Sequence, residues 1–330
     1  MSRNKKFCIC AIVVIYFPEP ELLRRVITAS LTQVDELVVV NNTPATTVLS
    51  DVFIPKSPCI TVLNQNKNIG LAAGLNVGIE YARQKNVTHY LLLDQDSVPA
   101  SDMVFQLTLA WGAAVNDALK VAAVGPAFTD DRGGAPPPFL KVGFPSNHVV
   151  QPTLDENYVR TDVLITSGCL ISEAALDCAG LMNEWLFIDN VDIEWGFRVQ
   201  SLGLNLIGAP YAKLTHRIGD EHVQAPRWAR WLFRRQIAVR HNDFRLYYIF
   251  RNRIALYKLK TVPSLWKLQD LFRLPFKIAL CVSISDKPLT TLRQLFVGMG
   301  DGLRSRNAFQ ASAMATRSPL ANKSTDNLST

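Results

Sequence analysis

The stretch Leu91-Leu92-Leu93-Asp94-Gln95-Asp96-Ser97 decides the fold. An apolar run without polar alternation reads as a strand buried on both faces, and this one stops on two carboxylates one residue apart. In an open α/β sheet, ligands sit beyond the carboxyl ends of the strands, so an Asp-x-Asp there faces a ligand rather than the core. Hard cations such as Mg2+ or Mn2+ take oxygen ligands and bridge carboxylates to substrate phosphates, which suits the position. Taken alone, the same residues also read as an Asp-rich turn in which Ser97 caps a helix beginning near Pro99. The surrounding chain separates the two readings.

On the N-terminal side, residues 7 to 17 form a near-continuous apolar run ending at Pro18, and Glu36-Leu37-Val38-Val39-Val40 ends at Asn41-Asn42-Thr43-Pro44. Between them Leu22, Leu23, Val26, Ile27 and Leu31 share one helical face. The order repeats, with a strand predicted over 60 to 63, a helix over 70 to 85, a strand over 88 to 93, a helix over 101 to 118 and a strand over 121 to 124. Strands of this kind separated by helices predict an α/β fold, a mostly parallel, Rossmann-like central sheet flanked by helices. After Gly125 the pattern changes. Residues 129 to 160, with Gly133-Gly134 and Pro136-Pro137-Pro138, read as a long irregular excursion near a site. A strand over 163 to 171 interrupted at Ser167-Gly168, helices over 173 to 180 and 190 to 202, and a strand over 204 to 208 follow. Beyond 225 the chain reads as amphipathic helices broken at Pro263 and Pro275, and 310 to 330 as a disordered polar tail.

At 330 residues, 48% hydrophobic and 19% charged, the chain has the make-up of an ordered globular protein with a large core. No run approaches the roughly 18 apolar residues that cross a bilayer, and Arg3, Lys5 and Lys6 precede a strand-like segment without a small-residue cleavage site. The expectation is a chain neither exported nor membrane-spanning. Six cysteines (Cys8, Cys10, Cys59, Cys169, Cys178, Cys281) show no metal-finger spacing, which predicts buried thiols in a reducing cytoplasm. The net charge of +7 is uneven. Residues 213 to 280 carry 15 Lys and Arg against four acids, a balance of +11, so the remainder stands at −4. That basic region also holds Trp228, Trp231, Phe272 and Phe276, a mixture suited to anionic lipid headgroups. A nucleic-acid binder would spread its cations along a groove, whereas here the sheet portion is net acidic, which argues against nucleic acid.

Several residues could carry chemistry beside Asp94 and Asp96. Asn41 and Asn42 end a predicted strand and offer amide groups suited to a base or ribose, though Asn-Asn-Thr-Pro is also a plain turn sequence. Asn68, Gly70 and Asn76 belong to a helix start rich in small residues, which permits close approach of a phosphate or equally of the sheet. In Phe187-Ile188-Asp189-Asn190-Val191-Asp192-Ile193-Glu194-Trp195, Glu194 has Arg198 four residues on as a structural partner, and Asp192 has none in reach. Asp192 then reads either as a functional carboxylate or as one that favours the helix dipole. His216 is by default a packed or surface histidine, and as an imidazole it could also complete a cation site with Asp96.

Taken in order, Val38-Val39-Val40-Asn41-Asn42, Asn68-Ile69-Gly70 through Gly78, Asp94-Gln95-Asp96-Ser97, Thr166-Ser167-Gly168-Cys169, Phe187 through Arg198, His216, and Tyr247-Tyr248 with Arg251-Asn252 make the chain similar to the family 2 glycosyltransferases of the GT-A fold. The resemblance is closest to their bacterial rhamnosyltransferase branch and covers about residues 9 to 255. It implies nucleotide-sugar contacts at Asn41, Asn42, Asn68, Gly70, Asn76 and Asp94, and a divalent metal, Mg2+ or Mn2+, at Asp96 and His216. It further implies an acceptor side at Ser167, Gly168 and Trp195, and Asp192 as catalytic base. Asn41 stands where the family usually has Asp, and Val191 where it has the Glu before the base.

The implied activity is inverting transfer of a sugar, L-rhamnose from dTDP-L-rhamnose, to a glycan or lipid-linked oligosaccharide acceptor in cell-surface polysaccharide assembly. The implied organisation is a catalytic domain over 1 to 224, with its nucleotide half over 7 to 125 and acceptor half over 126 to 224, then a basic amphipathic region over 225 to 309 and the tail. That basic region is expected to hold the enzyme peripherally at the inner face of the cytoplasmic membrane. Two other readings stay open: a different donor such as a UDP-hexose or galactofuranose, and nucleotidyl transfer. The latter would want a Gly-rich, cationic loop where this chain has Tyr16, Phe17 and Pro18.

Overall fold

The computed structural model describes residues 7–44, 54–129, 139–153, 156–216, 221–233 and 236–305. Its first half follows the predicted alternation: β1 (Ile9–Ile15), α1 (Pro20–Leu31), β2 (Glu36–Asn41), β3 (Ile60–Asn64), α2 (Leu71–Arg83), β4 (His89–Asp94), β5 (Ser97–Pro99), α3 (Met103–Asn116) and β6 (Val121–Thr129). The second half contains β7 (Leu140–Lys141), β8 (His148–Val149), β9 (Val159–Thr161), β10 (Cys169–Ser172), α4 (Glu173–Ala179), α5 (Val191–Ser201) and β11 (Asn205–His216). Then come β12 (Glu221–Gln224), α6 (Arg227–Phe233), β13 (Ile237–Arg240), α7 (Asp243–Leu256), α8 (Ser264–Ser283) and α9 (Pro288–Arg304). The predicted tail over 310 to 330, and Gly133-Gly134 with Pro136-Pro137-Pro138, lie outside the described residues.

The main sheet runs β3-β2-β1-β4-β10-β6-β11-β5, with β9 on β11. Strands β3, β2, β1, β4, β6 and β11 point one way, and β10, β5 and β9 run against them. The sheet is therefore mostly parallel, with helices on both faces. Period-two alternation divides β1 between them: Cys10, Ile12 and Val14 pack with Leu75 and Ile79 of α2, while Ala11, Val13 and Ile15 pack with Leu23 and Ile27 of α1 and Leu107 of α3. Each fully buried Val, Leu or Ile side chain among them contributes about 1.5–3 kcal/mol. Helix α2 lies close to the sheet because a Cβ on Gly78 would stand 2.5 Å from Ile12 Cγ2, and one on Gly74 2.8 Å from Val14 Cγ1. Of the two uses the sequence allows these glycines, the structure realises helix packing.

Three strand expectations change. The strand expected over 163 to 171 is only Cys169–Ser172, because Gly168 turns the chain at φ +78 and donates its N–H to Leu92 O. The strand expected over 204 to 208 runs on to His216, crossing Pro210 with a register shift between Ala209 and Lys213. Its extension pairs with β5, where a helix start was one reading of the sequence: Leu214 faces Pro99, Thr215 faces Val98 and His216 faces Ser97. The cysteines also divide, since Cys10 and Cys169 are buried as expected but Cys59 and Cys178 are exposed.

The C-terminal helices are built onto the sheet-bearing half. Helix α9 seats against α7 through Gly298 and Gly302, where a Cβ would stand 2.5 Å from Tyr247 O or meet Arg251 O. Helix α7 in turn clamps the loop before α5. Fully buried Asn252 donates from Nδ2 to the carbonyls of Leu186 (2.8 Å), Ile188 (2.8 Å) and Asp189 (2.9 Å), and Arg251 stacks its guanidinium 4.0 Å from the Trp185 ring and 4.5 Å from the Tyr248 ring. This clamp offsets local strain, since Phe187, Asp189 and Asn190 all have positive φ. Asn252→Leu keeps the volume and strands those carbonyls, so it is expected to cost about 3 kcal/mol or more, read as a lowered urea midpoint.

Candidate active site

Parallel pairing brings the carboxyl ends of the strands to one edge: Val14 lies beside Asp94, Ile15 beside Asn41, and Asn41 beside Asn64. A cleft of about 530 Å³ opens there, with Val14, Tyr16, Asn42, Asn68, Gly70, Asp94, Asp96, Asp189, Asp192, His216, Phe244 and Arg245 in its walls. Gln95, between the two aspartates, accepts from Tyr16 N–H through Oε1 (2.8 Å) and donates back to Tyr16 O (3.3 Å). That exchange ties the end of β4 to the end of β1 and leaves both carboxylates facing the opening. Ser167 fixes the other side, its Oγ accepting from Asp94 N–H at 3.0 Å.

The β5–β11 pairing delivers His216 to the same place. Its Nδ1 lies 2.7 Å from Ser97 Oγ and 3.5 Å from Asp96 Oδ1, and its Nε2 lies 4.0 Å from Asp94 Oδ2. Ser97 is therefore a partner of the imidazole rather than a helix cap. Asp94, Asp96 and His216 can each offer one ligand atom, all within 4.8 Å of one another. Two carboxylates with an imidazole form a donor set that suits a divalent cation of intermediate hardness. Removal from water pushes the Asp94 carboxyl up to about 6, with the Asp96 charge adding to the rise and His216 opposing it.

Asp192 lines the same cleft from the first turn of α5, where its Oδ1 accepts from Ile193 N–H at 2.8 Å. Burial pushes its carboxyl up to about 6, and the nearby charges of Asp189 and Asp94 act in the same direction. Glu194 takes the structural role its spacing suggested, bonded to Arg198 at 3.0 and 2.7 Å. Asp189 is a site residue that the sequence reading passed over. It is forked by Arg245 of α7, with Nε and Nη2 each 3.0 Å from a carboxylate oxygen. No local spacing signals that pair, which joins positions 56 residues apart.

Of the expected nucleotide-side residues, Asn42, Asn68, Gly70 and Asp94 line the cleft, and two others do not. Asn41 turns to Asn64 Oδ1 (2.8 Å) and Thr43 N (2.9 Å), closing the strand end. Asn76 is buried beneath the surface, bracing α2 to Met182 O and N (both 2.9 Å) and to Glu184 (2.9 Å). The start of α2 is also engaged by protein: Leu71 and Ala72 N–H donate to Phe187 O at 2.6 and 3.2 Å, and a Cβ on Gly70 would stand 2.6 Å from the Phe187 ring. On the expected acceptor side, Trp195 is a core residue whose Nε1 donates to Gly180 O, and Ser167 is buried while Gly168 shapes the turn behind Asp94. Thr166 and Phe244 reach the cleft. Asn41, Asn76, Ser167 and Trp195 thus engage their polar atoms with the sheet or the helix packing.

Comparison with known proteins bears on this arrangement. The model of the family "Glycosyl transferase family 2" matches residues 11–127. The chain is 27% identical over 300 residues to the dTDP-rhamnosyl transferase RfbF of Shigella flexneri, covering 90% of this chain and 95% of that protein. Its fold is similar to that of GalNAc-T7, solved with UDP, GalNAc and Mn2+, with a TM-score of 0.56 at 12% identity over 96% of this chain. The chain spans 59% of the length of that structure, and the likeness at such identity concerns the fold alone.

Proposed function

We propose that the chain is a family 2 glycosyltransferase that transfers L-rhamnose from dTDP-L-rhamnose to a hydroxyl of a glycan or lipid-linked oligosaccharide in cell-surface polysaccharide assembly. The observation that carries the reading is the sharing of one cleft by the Asp94, Asp96 and His216 group and by Asp192. The donor preference follows the kinship with the dTDP-rhamnosyl transferase of Shigella flexneri.

Asp192 accepts the proton of the incoming sugar hydroxyl, and the oxygen displaces the nucleoside diphosphate from the far face of the anomeric carbon, inverting it. Asp96 and His216, with Asp94 in reach, would hold a Mg2+ or Mn2+ ion whose charge offsets that of the leaving diphosphate. Asn42 and Asn68 stand on the nucleotide side. Asn42 is nearly fully buried, and its Oδ1 has no hydrogen-bond partner while its Nδ2 donates to Gly70 O. The test is mass spectrometry of the product formed from dTDP-L-rhamnose and a lipid-linked acceptor. An acceptor heavier by one rhamnosyl unit supports the reading, transfer only from another nucleotide sugar overturns the donor, and no transfer from any donor overturns the activity.

The same reading places the enzyme at the inner face of the cytoplasmic membrane. Among the described residues no helix is long and apolar enough to cross a bilayer. Helix α8 exposes Leu268, Leu271 and Phe272 at helical spacing beside Lys267 and Arg273, and α9 exposes Leu289, Phe296 and Leu303 on the face that carries Arg293. Apolar side chains rimmed by cations suit an anionic leaflet, where each Lys or Arg is worth about 1 kcal/mol. Binding to vesicles containing phosphatidylglycerol is therefore expected to weaken as salt rises, and Phe272→Ser to weaken it further at constant salt. Sedimentation that ignores salt would favour insertion of α8 instead.

A further inference from the structure

The cleft presents four carboxylates, Asp94, Asp96, Asp189 and Asp192, to a substrate whose own leaving group is anionic. Among its described lining residues Arg245 is the one Lys or Arg. It sits in the first turn of α7, where its backbone N–H is taken by the Asn242 cap at 2.8 Å, so the base of the side chain is fixed while its end is part-exposed. The partner it forks, Asp189, is held harder: its carbonyl accepts from Asn252, and its backbone lies at φ +61 between Ile188 and the start of α5. Asp189 is thus anchored through its backbone, whereas Arg245 reaches it through a long, part-exposed side chain. A guanidinium fork fits two phosphate oxygens in the geometry with which it fits a carboxylate, and more strongly where the phosphate bears the greater charge.

We propose that Arg245 is the clamp for the diphosphate of the donor and that Asp189 parks it, the guanidinium passing from the carboxylate to the phosphates when the donor enters. Asp189 is then a positioning residue: it presents the fork at the cleft wall and competes with the ligand for it. The passage leaves Asp189 uncompensated three residues before Asp192, so donor entry also puts a negative charge beside the base at the point where it must accept a proton. The inference rests on the nucleotide-sugar reading of the cleft and deepens it.

The two partners answer oppositely if this is right. In calorimetry of the full chain with dTDP and Mn2+, Arg245→Gln weakens binding by about 10- to 100-fold, the worth of charge-assisted hydrogen bonds. Arg245→Lys recovers part of the loss, and Asp189→Asn tightens binding because the competitor is gone. Thymidine, which lacks phosphates, binds all three variants as it binds the wild type. A pair that merely braces the loop predicts the same sign for Arg245→Gln and Asp189→Asn, and either that result or unchanged dTDP affinity in Arg245→Gln overturns the clamp. Should Arg245→Gln fail to fold, Arg245→Lys against Asp189→Asn carries the same comparison of signs. Absence of dTDP binding in the wild type would instead overturn the nucleotide-sugar reading itself.

Discussion

Asp192→Asn is expected to lower kcat by at least about a hundredfold while leaving the Kd for the donor nucleotide unchanged, because the substitution removes a proton acceptor and little else. The amide keeps the shape of the carboxyl and an oxygen that can accept from Ile193 N–H, as Oδ1 does at 2.8 Å. It cannot take the proton of an acceptor hydroxyl. The environment suits a base, since burial pushes the carboxyl up to about 6, which leaves it ionised at neutral pH yet more basic than an exposed aspartate. The sign in pH follows: below about 6 the group already holds its proton, so kcat/KM climbs as pH rises through about 6 and then levels, and the Asn variant loses that limb. Loss of folding is not expected to confuse the result. A carboxyl whose folded-state affinity for a proton exceeds its unfolded one makes the folded state less favourable as pH rises through that range, so neutralising it at pH 7 does not destabilise on this count. Turnover within tenfold of wild type would remove Asp192 from the mechanism.

Much of the frame was legible because apolar runs report burial directly. The stretches ending at Phe17, Val40 and Leu93 each became a strand, and their abrupt polar ends, Asn41-Asn42 and Asp94-Gln95-Asp96, fell on one sheet edge because parallel strands share a direction. What escaped was set by partners far off in sequence. Strand β5 is three residues long and exists only because the extension of β11 runs beside it, so its length and pattern give no signal alone. Trp195 and Asn76 sit among residues that do reach the cleft, and only the direction of the helix face sends them to the core. Arg245 and Asp189 carry charges that any surface pair carries, and the fork between them depends on how α7 docks. That docking is written in Gly298 and Gly302, four apart, whose meaning appears once a second helix is found against them. Chemistry at strand ends is local and readable; chemistry brought by helix docking is not.

Removing divalent cations is expected to abolish transfer, and the residues around His216 say how the loss should divide. Asp94 and Asp96 put two carboxylates within ion-pair reach of a single imidazole, and the Asp94 carboxyl, raised first by burial and further by the Asp96 charge, sits where a cation would favour its ionised form. Excess EDTA should therefore silence the enzyme, with Mn2+ or Mg2+ restoring it, and the affinity for dTDP should fall in parallel because an ion held by Asp94, Asp96 and His216 would offset the charge of the phosphates. The Ser97 hydroxyl, 2.7 Å from His216 Nδ1, occupies one ring nitrogen and leaves Nε2 toward Asp94. Groups that orient a ligating imidazole are worth about 10- to 100-fold in metal affinity, so Ser97→Ala should raise the Mn2+ concentration needed for half-activity by that order while sparing kcat at saturating metal. On the proposed site Asp96→Asn would remove a ligand outright and should not be rescued by excess ion. The two variants thus separate orientation of the site from its composition. Full activity in excess EDTA would contradict the metal assignment and return Asp94 and Asp96 to a direct contact with the donor, while leaving the role of Asp192 standing.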